Sequence, residues 1–179
     1  MKSQDIFLLL KLLSIEKSGV EGADYSVRQL EIVTGISKSE LSAALNRCLR
    51  VGLAARDRQT NEPRVNRKAL LGFLVHGIKY VFPVKPAELV RGMPTAFAAP
   101  IMEGKLMSAG EAICVWPDAT GSNKGQAIAP LFKSVPMAAK TDSRLYELLA
   151  LVDAIRIGNA REAQLAAQML EKEFALESL

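Results

Sequence analysis

The chain has 179 residues, 49% of them hydrophobic and 23% charged, with 23 Lys and Arg against 19 Asp and Glu. That apolar fraction supplies one or two packed cores and excludes an intrinsically disordered chain. The net charge is only +4, so any affinity for nucleic acid must come from where the charges lie; two cysteines and a single histidine leave no basis for a disulfide framework or a histidine-built metal centre.

Residues 1–5 are polar and residues 6–13 form an apolar run, interrupted by Lys11 and followed by Glu16 and Lys17. The run is too short to span a bilayer and lacks a small-residue cleavage pattern, so it reads as a buried helix of a cytoplasmic protein.

Residues 26–66 are the most informative stretch. Ser26 with Gln29, and Ser37 with Glu40, each have capping-box spacing: the serine oxygen accepts from the backbone three residues on, and the Gln or Glu reaches back. These signals predict two helix starts eleven residues apart, with Gly35 supplying the left-handed backbone that ends the first. Val27, Leu30, Ile32, Val33 and Ile36 can bury one side of that helix and its turn. The second helix is predicted over residues 38–51, closed by Gly52, with Leu41, Ala44, Leu45 and Cys48 inward at three-and-four spacing. Lys38, Ser39, Ser42, Asn46, Arg47 and Arg50 are left outside. Small side chains permit close approach to a major groove, Asn46 matches an adenine edge, and Arg47 suits guanine or phosphate.

Two short strands follow, at residues 53–58 and 63–66, about a polar turn at 59–62; Pro63 opens the returning strand, where its missing N–H is tolerated. Between residues 38 and 68, Lys38, Arg47, Arg50, Arg56, Arg58, Arg64, Arg67 and Lys68 stand against Glu40, Asp57 and Glu62. Eight positive and three negative charges leave a local excess of five, larger than that of the whole chain. Arginine predominates, which suits bidentate or groove-inserted contacts.

Helix, tight turn, helix and basic hairpin in this order resemble the winged helix-turn-helix transcriptional regulators of bacteria, MarR-like in the broad sense, over residues 6–79. The resemblance implies that the helix at 38–51 enters the major groove of double-stranded DNA while the hairpin touches phosphates or the minor groove. In that arrangement Ser39, Ser42, Asn46 and Arg47 read bases, and Lys38, Arg50, Arg56, Arg58 and Arg64 anchor phosphates. A homodimer would present its two helices about 34 Å apart to a palindromic operator.

Residues 66–78 predict another helix, capped by Asn66 and striped by Leu70, Leu71, Leu74, Val75 and Ile78, that finishes the core or forms a dimer contact. His76 has no partner at ligand spacing and reads as structural. From residue 81 to 136 lie seven of the eight prolines, which exclude long helices. An extended Pro-rich arm is expected there, with strands at 112–116 and 126–129, covering the preceding core or a second subunit with Phe82, Phe97, Trp116 and Phe132. The segment 121–125 lacks the order of a phosphate loop and reads as a hairpin turn. Glu88, Glu103, Glu111 and Asp118 are scattered, and no serine has a histidine near it in sequence, so no catalytic residue, cofactor or metal is expected. Cys48 and Cys114 read as small buried thiols rather than a redox pair.

Residues 144–157 and 159–174 predict two helices parted by Gly158, the second opened by the Asn159 and Glu162 pair, together an αα-hairpin. Four basic against seven acidic residues between 141 and 179 make this end unsuited to phosphates, leaving it to the core, to dimerisation or to a partner protein. The expected fold is therefore α+β, mainly helical with a small β wing, in three consecutive segments at 1–80, 81–140 and 141–179. The expected function is a sequence-specific DNA-binding repressor without enzymatic activity. The alternative is an antitoxin or adaptor-type module that binds a partner protein through the arm and C-terminal helices.

Overall fold

The computed structural model describes residues 1–17, 26–105 and 113–175. In chain order its elements are α1 (Ser3–Lys17), α2 (Val27–Thr34), α3 (Lys38–Arg50), β1 (Ala54–Arg56), β2 (Pro63–Val65), α4 (Arg67–His76), α5 (Ile78–Val81), β3 (Leu89–Pro94), two 3-10 turns (Ala96–Ala98 and Pro100–Met102), β4 (Cys114–Pro117), β5 (Asn123–Ala127), α6 (Val135–Thr141), α7 (Ser143–Ile157) and α8 (Ala160–Phe174). The chain is α+β, mainly helical with two small sheets. No described helix is long and apolar enough to cross a membrane.

Two compact units form, each from two stretches of chain: Met1–Leu70 with Leu131–Leu145, and Leu71–Pro130 with Tyr146–Leu179. This differs from the three consecutive segments expected, because residues 131–145 return to the first unit. Phe132 stacks on Phe7 with ring centroids 6.2 Å apart, and the Ser134 hydroxyl donates to the Thr34 carbonyl. Asp142 accepts from Lys11 Nζ at 2.7 Å and from the Ser14 hydroxyl, and it caps α7 by accepting from the Leu145 N–H at 2.9 Å.

In the first unit, the side chains of Ile6, Phe7, Leu8, Leu9, Leu10, Leu12 and Leu13 are all buried, which is why α1 has no polar face to show. Helix α2 starts where expected, with Ser26 Oγ accepting from the Gln29 N–H at 3.2 Å, and stops at Gly35 with φ of 67°. A Cβ there would also meet Ser134 Cβ at 3.0 Å. The predicted box at the start of α3 does not form. Ser37 has the extended backbone of an N-cap but no side-chain cap bond, Glu40 is drawn to Lys2 and Gln4, and the Lys38 N–H donates to Glu31 Oε1 at 3.3 Å instead.

Strands β1 and β2 pair antiparallel, Ala54 with Val65 and Arg56 with Pro63. The hairpin is shorter than its hydropathy predicted because Asp57 accepts from the Gln59 and Thr60 N–H groups at 2.8 and 2.9 Å, closing a turn directly after Arg56. The Leu53 N–H donates to the Cys48 carbonyl at 3.0 Å, which fixes the hairpin to the end of α3. Asn66 caps α4 as expected, accepting from the Ala69 N–H at 3.2 Å, but the helix stops at His76 and restarts after Gly77 as α5.

The second unit replaces the expected extended arm with a closed three-stranded sheet. β3 runs antiparallel to both β4 and β5, which pair parallel with each other. Closure brings backbones so near that a Cβ on Gly121 would collide with the Gly92 backbone. The predicted strand residue Ala112 lies outside the described residues, and the second expected strand is shifted toward the N-terminus, to Asn123–Ala127.

Asp153, on α7, is buried and accepts from Thr95 Oγ1 at 2.8 Å, Trp116 Nε1 at 2.6 Å and Arg156 Nη1 at 2.7 Å. Arg156 also donates to the carbonyls of Phe82 and Ala129. The αα pair was legible in sequence: Asn159 and Glu162 form the complete capping box of α8, which buries Ala166, Leu170 and Phe174.

Candidate nucleic-acid interface

Helix α3 divides its residues as its sequence spacing dictates. Leu41, Ala44, Leu45 and Cys48 are buried, and on the opposite face Ser39, Ser42, Asn46 and Arg50 are exposed at intervals of three, four and four residues. Lys38 is exposed beside them, its ammonium 3.9 Å from Glu31 in an open pair of little strength. Small serines and one amide leave this stripe low in profile, so a partner surface can approach the helix closely.

One flank of α3 is built differently. Arg47 donates through Nε to Asp5 Oδ2 at 2.8 Å and through Nη2 to Asp5 Oδ1 at 2.7 Å, a two-pronged pair. The Asp5 side chain is 0% exposed and that of Arg47 only 26%. Glu40, one turn away, accepts from Lys2 Nζ at 3.0 Å and Gln4 Nε2 at 2.5 Å. The bond from Lys2, then that from Gln4, holds the Glu40 carboxyl below its ordinary pKa; the bond to Asp5 raises that of Arg47. Two acids and two bases therefore cancel along this flank.

Arg47, expected to read bases, is instead turned toward α1. Lys2, Gln4 and Asp5, which hold this flank, went unrecognised in sequence. The only available signal was a carboxylate one residue ahead of an apolar run, and no local spacing ties it to position 47.

The hairpin carries the remaining arginines. Arg56 is exposed and donates to the Asn61 carbonyl at 3.0 Å, while Arg64 lies 3.1 Å from Glu62. Arg50 and Arg58 are exposed with no ion pair among the described residues. Asp57 is held below its ordinary pKa by the backbone N–H of Thr60 and then that of Gln59, so it remains ionised in the turn. Glu16 accepts from the Val65 N–H at 3.0 Å and pairs with Arg67 at 3.3 Å, anchoring the returning strand to α1. Of the nine residues singled out by sequence, Lys38, Ser39, Ser42, Asn46 and Arg50 thus stand exposed on α3, and Arg56, Arg58 and Arg64 lie on the adjoining hairpin. Arg47 stands apart from them.

Cys48 sits behind the stripe. Burial, reinforced by the Asp5 charge, pushes its thiol up to about 12, so it is no nucleophile at neutral pH. In the second unit a cleft of about 510 Å³ is lined by Pro86, Phe97, Cys114, Gln126, Ile157, Asn159 and Glu162. Its Asn159 and Glu162 are already joined in the cap of α8. Among the described residues no group of three or more His, Cys, Asp and Glu is placed to hold a metal ion. Compared with known proteins, the chain matches no protein-family model, no curated protein and no solved structure.

Proposed function

We propose that this protein is a sequence-specific DNA-binding transcriptional regulator of the winged helix-turn-helix kind, and that it represses as a homodimer on a palindromic operator. In this reading α2, the Gly35 turn and α3 are the helix-turn-helix, and β1 with β2 is the wing. The observation that carries it is the open stripe of Ser39, Ser42, Asn46 and Arg50, continued by a hairpin bearing Arg56, Arg58 and Arg64. A solvated helix face needs no such combination of low profile, an unengaged amide and adjoining arginines; a major groove does. Phosphate anchoring falls to Arg50, Arg56, Arg58 and Arg64, with Lys38 at the opposite end of α3.

Selection of bound sequences from a random double-stranded library, followed by titration of the enriched sequence at several salt concentrations, tests this directly. A symmetric motif and a steep fall of affinity with salt are expected. Weak binding to all sequences alike would overturn it.

A second reading has one observation in its favour. Tyr80, Val81 and Leu89 of the second unit are exposed large apolar side chains, Tyr80 at 76%. An antitoxin or adaptor would use such residues to hold a protein partner. A stoichiometric complex with that partner, together with sequence-blind DNA binding, would favour it over the regulator.

A further inference from the structure

We infer that each operator half-site is recognised at an adenine through Asn46, and that Arg47 reads no base because Asp5 holds its guanidinium. This rests on the DNA-binding reading above and names what that surface recognises. Arginine reads guanine by presenting two N–H groups side by side to O6 and N7. Asp5 engages one such edge of Arg47, through Nε and Nη2 at 2.8 and 2.7 Å, which holds the guanidinium against α1. Asp5 is fully buried, so leaving it for a base would exchange a fork between two opposite charges for one to a neutral acceptor and leave a carboxylate in the core with only the Lys2 N–H. Glu40, with its oxygen 4.0 Å from Arg47 Nη2, is itself paired with Lys2, so this flank presents no net positive charge to a phosphate.

The exposed stripe holds different chemistry. Ser39 and Ser42 each offer one hydroxyl, which can donate to or accept from a base edge and so discriminates little between them. Asn46 is the residue of the stripe with a donor and an acceptor fixed side by side, the pair that matches N7 and N6 of adenine. Its amide makes no hydrogen bond among the described residues, so none has to be broken on binding. Arg50 lies one turn further toward the C-terminal end of α3, close to where the chain turns into the hairpin, and suits a phosphate.

The test compares motifs selected from a random library by the wild type, Asn46→Ala, Asp5→Asn and the double variant Asp5→Asn/Arg47→Gln, each first checked for a cooperative melt. The wild type should enrich an adenine in each half-site. Asn46→Ala should lose discrimination at that base pair alone, by roughly five- to 150-fold. The double variant replaces the ion pair by two neutral amides and should select the wild-type motif. Asp5→Asn removes the countercharge and should add a preference for guanine beside the adenine.

A wild-type guanine that disappears in the double variant, an Asn46→Ala motif identical to the wild type's, or an Asp5→Asn motif without new guanine would each overturn the inference while leaving DNA binding intact. Should the wild type enrich no motif, the regulator reading itself fails and takes this one with it. If Asp5→Asn does not fold, the double variant and Asn46→Ala still decide the matter. A merely structural Arg47 would alter affinity through stability, but only a base reader would alter the motif.

Discussion

Asp5 is fully buried, and both its carboxylate oxygens accept from Arg47, with the Lys2 N–H also donating to Oδ2 at 2.9 Å. Arg47→Ala is therefore expected to cost about 3–5 kcal/mol in urea unfolding, because an unpaired charge is left in the core. Asp5→Ala should cost less, since the partly exposed guanidinium can reach solvent; equal and small losses would contradict this account. Asp153 poses the same problem in the second unit. Burial pushes its carboxyl above the ordinary range, while Arg156, Thr95 and Trp116 all donate to it and oppose that rise. Asp153→Ala strips the three donors of their acceptor at once, with an expected loss of about 3–5 kcal/mol and a shift in Trp116 fluorescence as the readout. The role of Asp5 could not be recognised from its neighbours in sequence, because Arg47 lies 42 residues away; Asp153 has its charged partner three residues on in Arg156, but its donors Thr95 and Trp116 are 58 and 37 residues away.

At the level of elements, the proposed DNA-binding function assigns α3 and the hairpin two different kinds of contact. Arg58→Ala should lower the slope of log affinity against log salt by about one unit without changing the selected motif, as expected for a lost phosphate contact. An unchanged slope would remove Arg58 from the interface. The extents of α2, α3, α7 and α8 were legible because caps and three-and-four spacing are local properties. The box at Ser37 failed for a reason that is not local, since Glu40 has stronger partners in Lys2 and Gln4 of α1. Helix α6 escaped a reading of the proline-rich stretch as extended, although Pro136 lies in its first turn, where proline needs no hydrogen-bond acceptor. Gly35→Ala is expected to destabilise α2 by about 1 kcal/mol through its left-handed backbone, and by more if Ser134 cannot yield.

For the whole chain, the discontinuous first unit has a direct consequence. A fragment of residues 1–80 lacks Phe132, Ser134 and Asp142, which stack on Phe7, bond to Thr34 and neutralise Lys11. It should give near-ultraviolet dichroism without fixed aromatic packing and should melt without cooperativity; a sharp melt would refute the importance of the returning stretch. Asp142 also couples the fold to acid. Burial alone raises its pKa, but the bonds from Lys11, the Leu145 N–H and Ser14 outweigh burial and bring it below the ordinary value. A folded-state pKa below the unfolded one stabilises fully at neutral pH, and that contribution disappears as pH falls through the lowered folded value. Asp142→Asn should lose about 1–3 kcal/mol at pH 7 and show a flatter decline in acid.

Local spacing along the chain was enough to establish α2, α3, α7 and α8, the basic hairpin and the outward stripe of α3, because periodicity and capping act over three or four residues. Which arginines remain available, and which stretches share a core, depended on the folded chain. The pair that engages Arg47 joins residues 42 apart and the Lys11 to Asp142 bond spans 131. Long-range pairing of charges and the closure of a core leave no periodic trace in sequence, since any of several acids could have met Arg47 until packing buried Asp5 beside it.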